Sequence, residues 1–168
     1  MKTITTLLSI FTLAFGTSAL AQEPSVGNFD QEFLQDSANC SRNEVALAKL
    51  AKSKAVNPQV KSFAAMMAKD HAAMNEKITL LAAKKNVELT VDPEKANKDV
   101  ANLTKKEGKE FDKDYMELMV SNHKDLIESL EKALKSEDPE VTKMAHDALP
   151  NIKAHLAQAE KIEDAIDA

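Results

Sequence analysis

The sequence predicts an all-α domain built as a bundle of four long amphipathic helices, and three observations carry that prediction. First, Ala, Leu, Lys, Glu and Met dominate the 168 residues, whereas glycine occurs only three times. Those five are strong helix formers, and so few glycines leave little material for the tight turns of a sheet-rich domain. Second, apolar residues recur at alternating steps of three and four, the period of one helical face. Third, two positions pair a capping residue with a proline, Asn57-Pro58 and Asp138-Pro139. Asn and Asp accept hydrogen bonds from free N–H groups of a helix's first turn, and proline at the first helical position has no N–H to satisfy.

The chain opens with a segment that does not belong to the bundle. Lys2 supplies a positive start, Leu7 to Phe15 is mostly apolar, and Ala19-Leu20-Ala21 is a small-x-small cleavage site before Gln22. This pattern predicts a cleavable secretory leader over residues 1–21 and a single domain over 22–168, exported to the periplasm. Cys40 stands far from the cleavage point, so lipoprotein processing is not indicated. After Gln22 no apolar run approaches the ~20 residues needed to span a bilayer. The chain holds 27 acidic and 22 basic residues, a net charge of −5, with the basic ones scattered. That pattern lacks the clustered positive surface that grips a phosphate backbone, and no nucleic-acid partner is expected. Cys40 is the only cysteine, so an exported form has no internal disulfide, and the residue reads as a small apolar side chain.

The first helix is expected from about Phe29 to Lys54, with Asn28 as cap, Gln31 completing a capping box, and an inward stripe of Phe33, Ser37, Cys40, Glu44, Leu47 and Ala51. The second starts at Asn57-Pro58 and ends near Asn86. Its stripe is Val60, Phe63, Met67, His71, Met74, Ile78 and Leu81. Residues 87–106 are polar and weakly patterned, with Asp92-Pro93-Glu94 able to start a short extra helix ending near Gly108. The third long helix covers about Lys109 to Leu134, with Phe111, Tyr115, Met119, His123, Ile127, Leu130 and Leu134 inward. The fourth starts at Asp138-Pro139 and turns Ala145, Ala148, Ile152, His155, Ala159, Ile162 and Ile166 inward. Pro150 inside it removes one backbone bond and frees the His146 carbonyl, which predicts a kink. The short links make antiparallel hairpins of helices one with two and three with four. The long middle link can carry the chain along the bundle, making helices two and three parallel, which is the ferritin-like arrangement.

Each stripe carries one residue able to bind a metal: Glu44, His71, His123 and His155. The helix midpoints fall near Arg42, Ala72, Asn122 and Lys153, and each polar residue lies within about two residues of its midpoint. At ~1.5 Å rise per residue, all four reach one level whichever way neighbouring helices run. A carboxylate among apolar side chains is costly unless paired or bound to a cation. Three imidazoles and one carboxylate form a complete set of ligands for Zn, Cu or Fe, and Met67, Met74 and Met119, each one turn from a histidine, would favour Cu(I). The competing account is a metal-free polar cluster in which Glu44 hydrogen-bonds His71 or His123. Asp70 points about 100° away from His71 and reads as an outer partner or a surface group. His146 lies off the stripe, in a solvated or capping role.

The runs NEVALAKLA (43–51), VKSFAAMMAKDH (60–71), FDKDYMELMVSNH (111–123) and LPNIKAHL (149–156) resemble the family called domain of unknown function 4142. The resemblance covers nearly all of the chain after the leader. It implies a ferritin-like bundle in an exported bacterial protein and no established reaction. Ferritin-like di-iron proteins use Glu-x-x-His on two helices. Here Ala68, Val120 and Ile152 stand three residues before the histidines, so a carboxylate-bridged di-iron centre does not fit. No nucleophile motif, phosphate loop or haem-attachment cysteine pair occurs. Three functions follow as expectations: a metal-binding exported protein; a non-enzymatic structural or stress-related module with a metal-free cluster; and a redox enzyme with one metal ion. The sequence leans away from an enzyme.

Overall fold

A computed structural model of the chain describes residues 27–91 and 93–167. The leader expected over residues 1–21 and its cleavage site lie outside the described residues, as does Asp92. Five helices are present among the described residues: α1 (Asn28–Lys54), α2 (Pro58–Lys84), α3 (Pro93–Thr104), α4 (Gly108–Ala133) and α5 (Pro139–Asp167). There is no strand among the described residues. The four long helices fall within a residue or two of their expected bounds, the short extra one starts where expected but ends at Thr104, four residues before Gly108, and α5 runs as one helix through Pro150. Among the described residues no helix is long and apolar enough to cross a membrane.

The caps explain where the helices start and stop. The Asn57 side chain accepts from the Gln59 N–H at 2.8 Å, and Asp138 Oδ1 accepts from the N–H groups of Glu140 and Val141. The expected capping box at Asn28 does not form. Gly27 holds the cap position, with φ −60° and ψ 150° and no side chain to offer, and Asn28 is already helical. The turn after α2 closes through Asn86 at φ 55°. Val87 N–H reaches back to the Ala82 carbonyl at 2.9 Å and Asn86 N–H to Ala83 at 3.2 Å. Asn tolerates the left-handed conformation this motif requires, so α2 stops there.

The two hairpins α1–α2 and α4–α5 are the most extensive packing units, with α1 also against α4 and α2 against α5. Phe63, Met67, Phe111, Tyr115, Met116 and Met119 fill one part of the core, and Phe33, Leu126, Leu130, Val141 and Ile152 another. Residues 85–91 and 98–107 run beside α1, from Gln35 to its end. Gln35 bonds Thr90, Asn43 bonds Asp99, and Lys54 bonds the Thr104 carbonyl and Glu107. At the far end the buried Asp112 carboxylate accepts from the N–H groups of Val56 at 3.0 Å and Asn57 at 2.7 Å. Those donors belong to the turn between α1 and α2, so Asp112 pins the first turn of α4 to that corner.

Candidate metal centre

The three histidines expected to meet do meet. His71 comes from α2, His123 from α4 and His155 from α5, and they are at most 2% exposed. Their ring centroids lie 5.5, 5.6 and 5.6 Å apart, a nearly equilateral triangle. One nitrogen from each ring falls within 4.8 Å of the others. The centre of such a triangle is about 3.2 Å from each centroid. That matches a metal–nitrogen bond of about 2.0–2.1 Å plus the distance from a ring nitrogen to its centroid.

Hydrogen bonds fix which nitrogens point inward. His123 Nδ1 lies 2.7 Å from the Met119 carbonyl. A carbonyl can only accept, so Nδ1 carries the proton and Nε2 keeps its lone pair. His155 Nε2 lies 3.1 Å from Asp70 Oδ2. An ionised carboxylate likewise only accepts, leaving the lone pair on Nδ1. These two free nitrogens, together with both nitrogens of His71, are buried without a hydrogen-bond partner. Four of the six ring nitrogens are thus unpartnered, and one nitrogen from each ring falls in the common cluster. Burial lowers the His71 imidazole to about 3, helped by the charges of His123 and His155. Burial likewise takes His123 to about 4, against the pull of the Met119 carbonyl, and lowers His155 against the opposing effect of Asp70. All three are therefore neutral at neutral pH, the form that binds metal.

Glu44 is buried at 1% exposure, but it is not one of the three residues whose ligand atoms cluster. Its Oε1 accepts from Asn122 Nδ2 at 2.8 Å, and Oε2 is buried without a partner. Burial raises its carboxyl to about 7, opposed by the Asn122 bond and assisted by the charge of Asp99. Tyr115, whose hydroxyl is also unpartnered, feels the Glu44 charge, and burial pushes its phenol well up. His146 is exposed and faces Asp147. Asn122 carries no signal in the sequence because it lies off the apolar stripe. Spacing makes Asp70 an outer partner or a surface group. What spacing does not show is that it serves His155 on α5 rather than its neighbour His71. The one available signal is that an off-stripe residue beside a ligand lies at the right height to hold a ligand on the next helix.

A cavity of about 540 Å³ opens between α2 and α5 and has His71, His155 and Asp70 among its lining residues.

The chain belongs to the family described as Domain of unknown function (DUF4142), whose match spans residues 15–162. No curated protein matches it. Among solved structures it is similar to a DUF305 fragment from Deinococcus radiodurans, at 15% identity and a TM-score of 0.74, covering 84% of this chain and 99% of that one. It is also similar to CopM in its Cu(I)-bound form, at 18% identity and a TM-score of 0.69, covering 81% and 96%. The Cu(II)-bound form of CopM gives 17% identity and a TM-score of 0.67 over the same shares. At such identities the likeness is one of fold.

Proposed function

We propose that this member of the DUF4142 family is an exported metal-binding protein that holds one transition metal ion between His71, His123 and His155, with copper as the first choice of ion. The observation that carries the reading is the convergence of buried, neutral imidazoles whose inward nitrogens have no partner. A purely structural cluster should satisfy itself, because a buried polar atom left unpaired costs about 1–3 kcal/mol. Here Glu44 bonds Asn122 instead of a histidine, which leaves the rings poorly served by a metal-free account.

Charge balance supports the same reading. Three neutral imidazoles add no charge, so a divalent ion among them needs two negative charges nearby. Asp70 on His155 is one, in the carboxylate–histidine–metal arrangement that orients a ligating ring. Glu44, the fourth ligand that the helix heights predict, is the other: its Oε2 is buried without a partner, although it lies outside the cluster of ligand atoms. Protonation of Glu44 near neutral pH would suit a monovalent ion equally. Copper comes first because imidazole and thioether suit it, because Met67 and Met119 are buried one turn from the ligands, and because CopM, of similar fold, has copper-bound forms. Zn and Fe are the competing ions.

The ferritin-like four-helix bundle belongs to the same proposal. Its support is the path of residues 85–91 and 98–107 along α1 and the start of α4 at the α1–α2 corner, which make α2 and α4 run the same way. Secretion through a cleaved leader over residues 1–21 puts the protein in the periplasm.

The test is titration of metal-free protein with Cu(I), Cu(II), Zn(II) and Fe(II) in competition with chelators. One ion per chain is expected, lost in His123→Ala. Absence of any ion held tighter than about 10 μM (a binding free energy near −7 kcal/mol) overturns the proposal.

A further inference from the structure

The three imidazoles leave a coordination position unfilled by nitrogen, and the cavity between α2 and α5 has two of them, His71 and His155, in its wall. His71, with both nitrogens unpartnered and no exposure, lines its inner end together with His155. Neither His123 nor Glu44 is part of its wall. Outward from the histidines the lining is apolar: Ile78, Leu81, Leu126, Leu130 and Ile152. At about 540 Å³ it falls within the ~300–1,000 Å³ of small-molecule sites. Charges gather toward its mouth, where Lys77 is exposed to solvent and the others are paired. Lys143 bonds Asp147 at 2.6 Å, and Glu140 is held by Lys84 and Lys85.

A space of this kind favours an occupant with no net charge. It offers an apolar body somewhere dry to sit and presents, at its end, the place where an ion held by the histidines would accept one more donor. We infer that the α2–α5 cavity is a binding site for a small neutral apolar molecule carrying a single nitrogen or sulfur donor, which it delivers to the ion. The inference rests on the metal reading of the three histidines and extends it. The donor gives its lone pair to the ion, and no bond of the molecule breaks. Specificity comes from the apolar walls, so affinity should grow with the apolar body at constant donor.

The experiment uses the full-length exported protein loaded with Co(II), whose visible absorption reports its ligands, and two probes with the same donor, imidazole and 4-phenylimidazole. Both are expected to change the spectrum, and 4-phenylimidazole should bind roughly 30- to 100-fold tighter, the gain from burying a phenyl ring. Ala148→Phe and Met144→Trp, at cavity-lining positions away from the ligands, should each keep Co(II) and the helical circular dichroism and cut that preference to below about fivefold. If the protein takes up no Co(II) or other ion, the metal reading itself fails. If Co(II) binds but neither probe alters its spectrum, or both bind equally, the cavity inference alone is overturned. It is overturned in the same way if both filled variants fold, hold Co(II) and keep the preference.

Discussion

Replacing His71 with leucine should stabilise the metal-free protein, although His71 sits at its centre. Its ring is fully buried with both nitrogens unpartnered. Each buried, unsatisfied polar group costs about 1–3 kcal/mol, and leucine has a similar volume with no polar atom. The expected gain is about 2 kcal/mol, or roughly 6 °C in Tm for a domain of this size. The assay is thermal and denaturant unfolding of both proteins in chelator, repeated with Cu or Zn. At a hundredfold excess of free ion over Kd the wild type should gain about 2.7 kcal/mol, and His71→Leu little or none. The two proteins should therefore exchange rank on adding metal. Acid provides an independent check. His71 titrates at about 3 in the fold and about 6.5 when unfolded. The unfolded chain therefore takes up the proton first, and stability is lost as pH falls from about 6.5, at up to about 1.4 kcal/mol per pH unit. The variant should lose one proton's worth of that slope. A His71→Leu protein that melts lower than wild type in chelator, and rises equally with metal, would refute the reasoning.

Other outcomes follow from named contacts. Glu44→Gln should stabilise the metal-free protein increasingly as pH rises from about 4.5 to about 7, because the raised Glu44 carboxyl costs stability across that window and no further above it; urea unfolding at pH 4.5 and pH 7.5 checks it. Asp112→Ala strands the N–H groups of Val56 and Asn57 and should cost about 2–4 kcal/mol while metal stoichiometry, read by elemental analysis, stays the same. Tyr115→Phe removes an unpartnered buried hydroxyl and should stabilise the protein by about 1–3 kcal/mol, most plainly seen by calorimetry. Intact mass of the exported protein should show a chain beginning at Gln22, and a retained Met1 would count against the leader.

The helices were legible because their signals are local. Caps at Asn57 and Asp138, proline starts and a three-four apolar rhythm specify each one without reference to the rest of the fold. The meeting of His71, His123 and His155 was legible for a related reason, since height along a helix follows from residue number alone. Glu44 shares that height, yet its carboxylate bonds Asn122 on α4. Which way a side chain turns depends on helix rotation and rotamer, neither of which is written in spacing. Asp70 shows the same limit, because its partner is reached only once α2 and α5 are packed. Cys40 belongs to the expected stripe but is only partly buried against the core. The buried face of α1 is broader than one stripe, with Leu34, Ala38 and Ala48 also fully enclosed.

The three histidines are drawn from both hairpins: one from α1–α2 and two from α4–α5. Each hairpin makes its contacts at short sequence separation, so each can form early, while their joining closes a much longer loop. The packing between hairpins is less extensive than the packing within each, and their separation is an opening distinct from the fraying of either one. An ion gripped by both halves is therefore a rivet across that seam. Amide hydrogens along α2 and α5 should exchange far more slowly with the ion than without it. The folding rate should hardly change, because the rivet closes only after the halves have met.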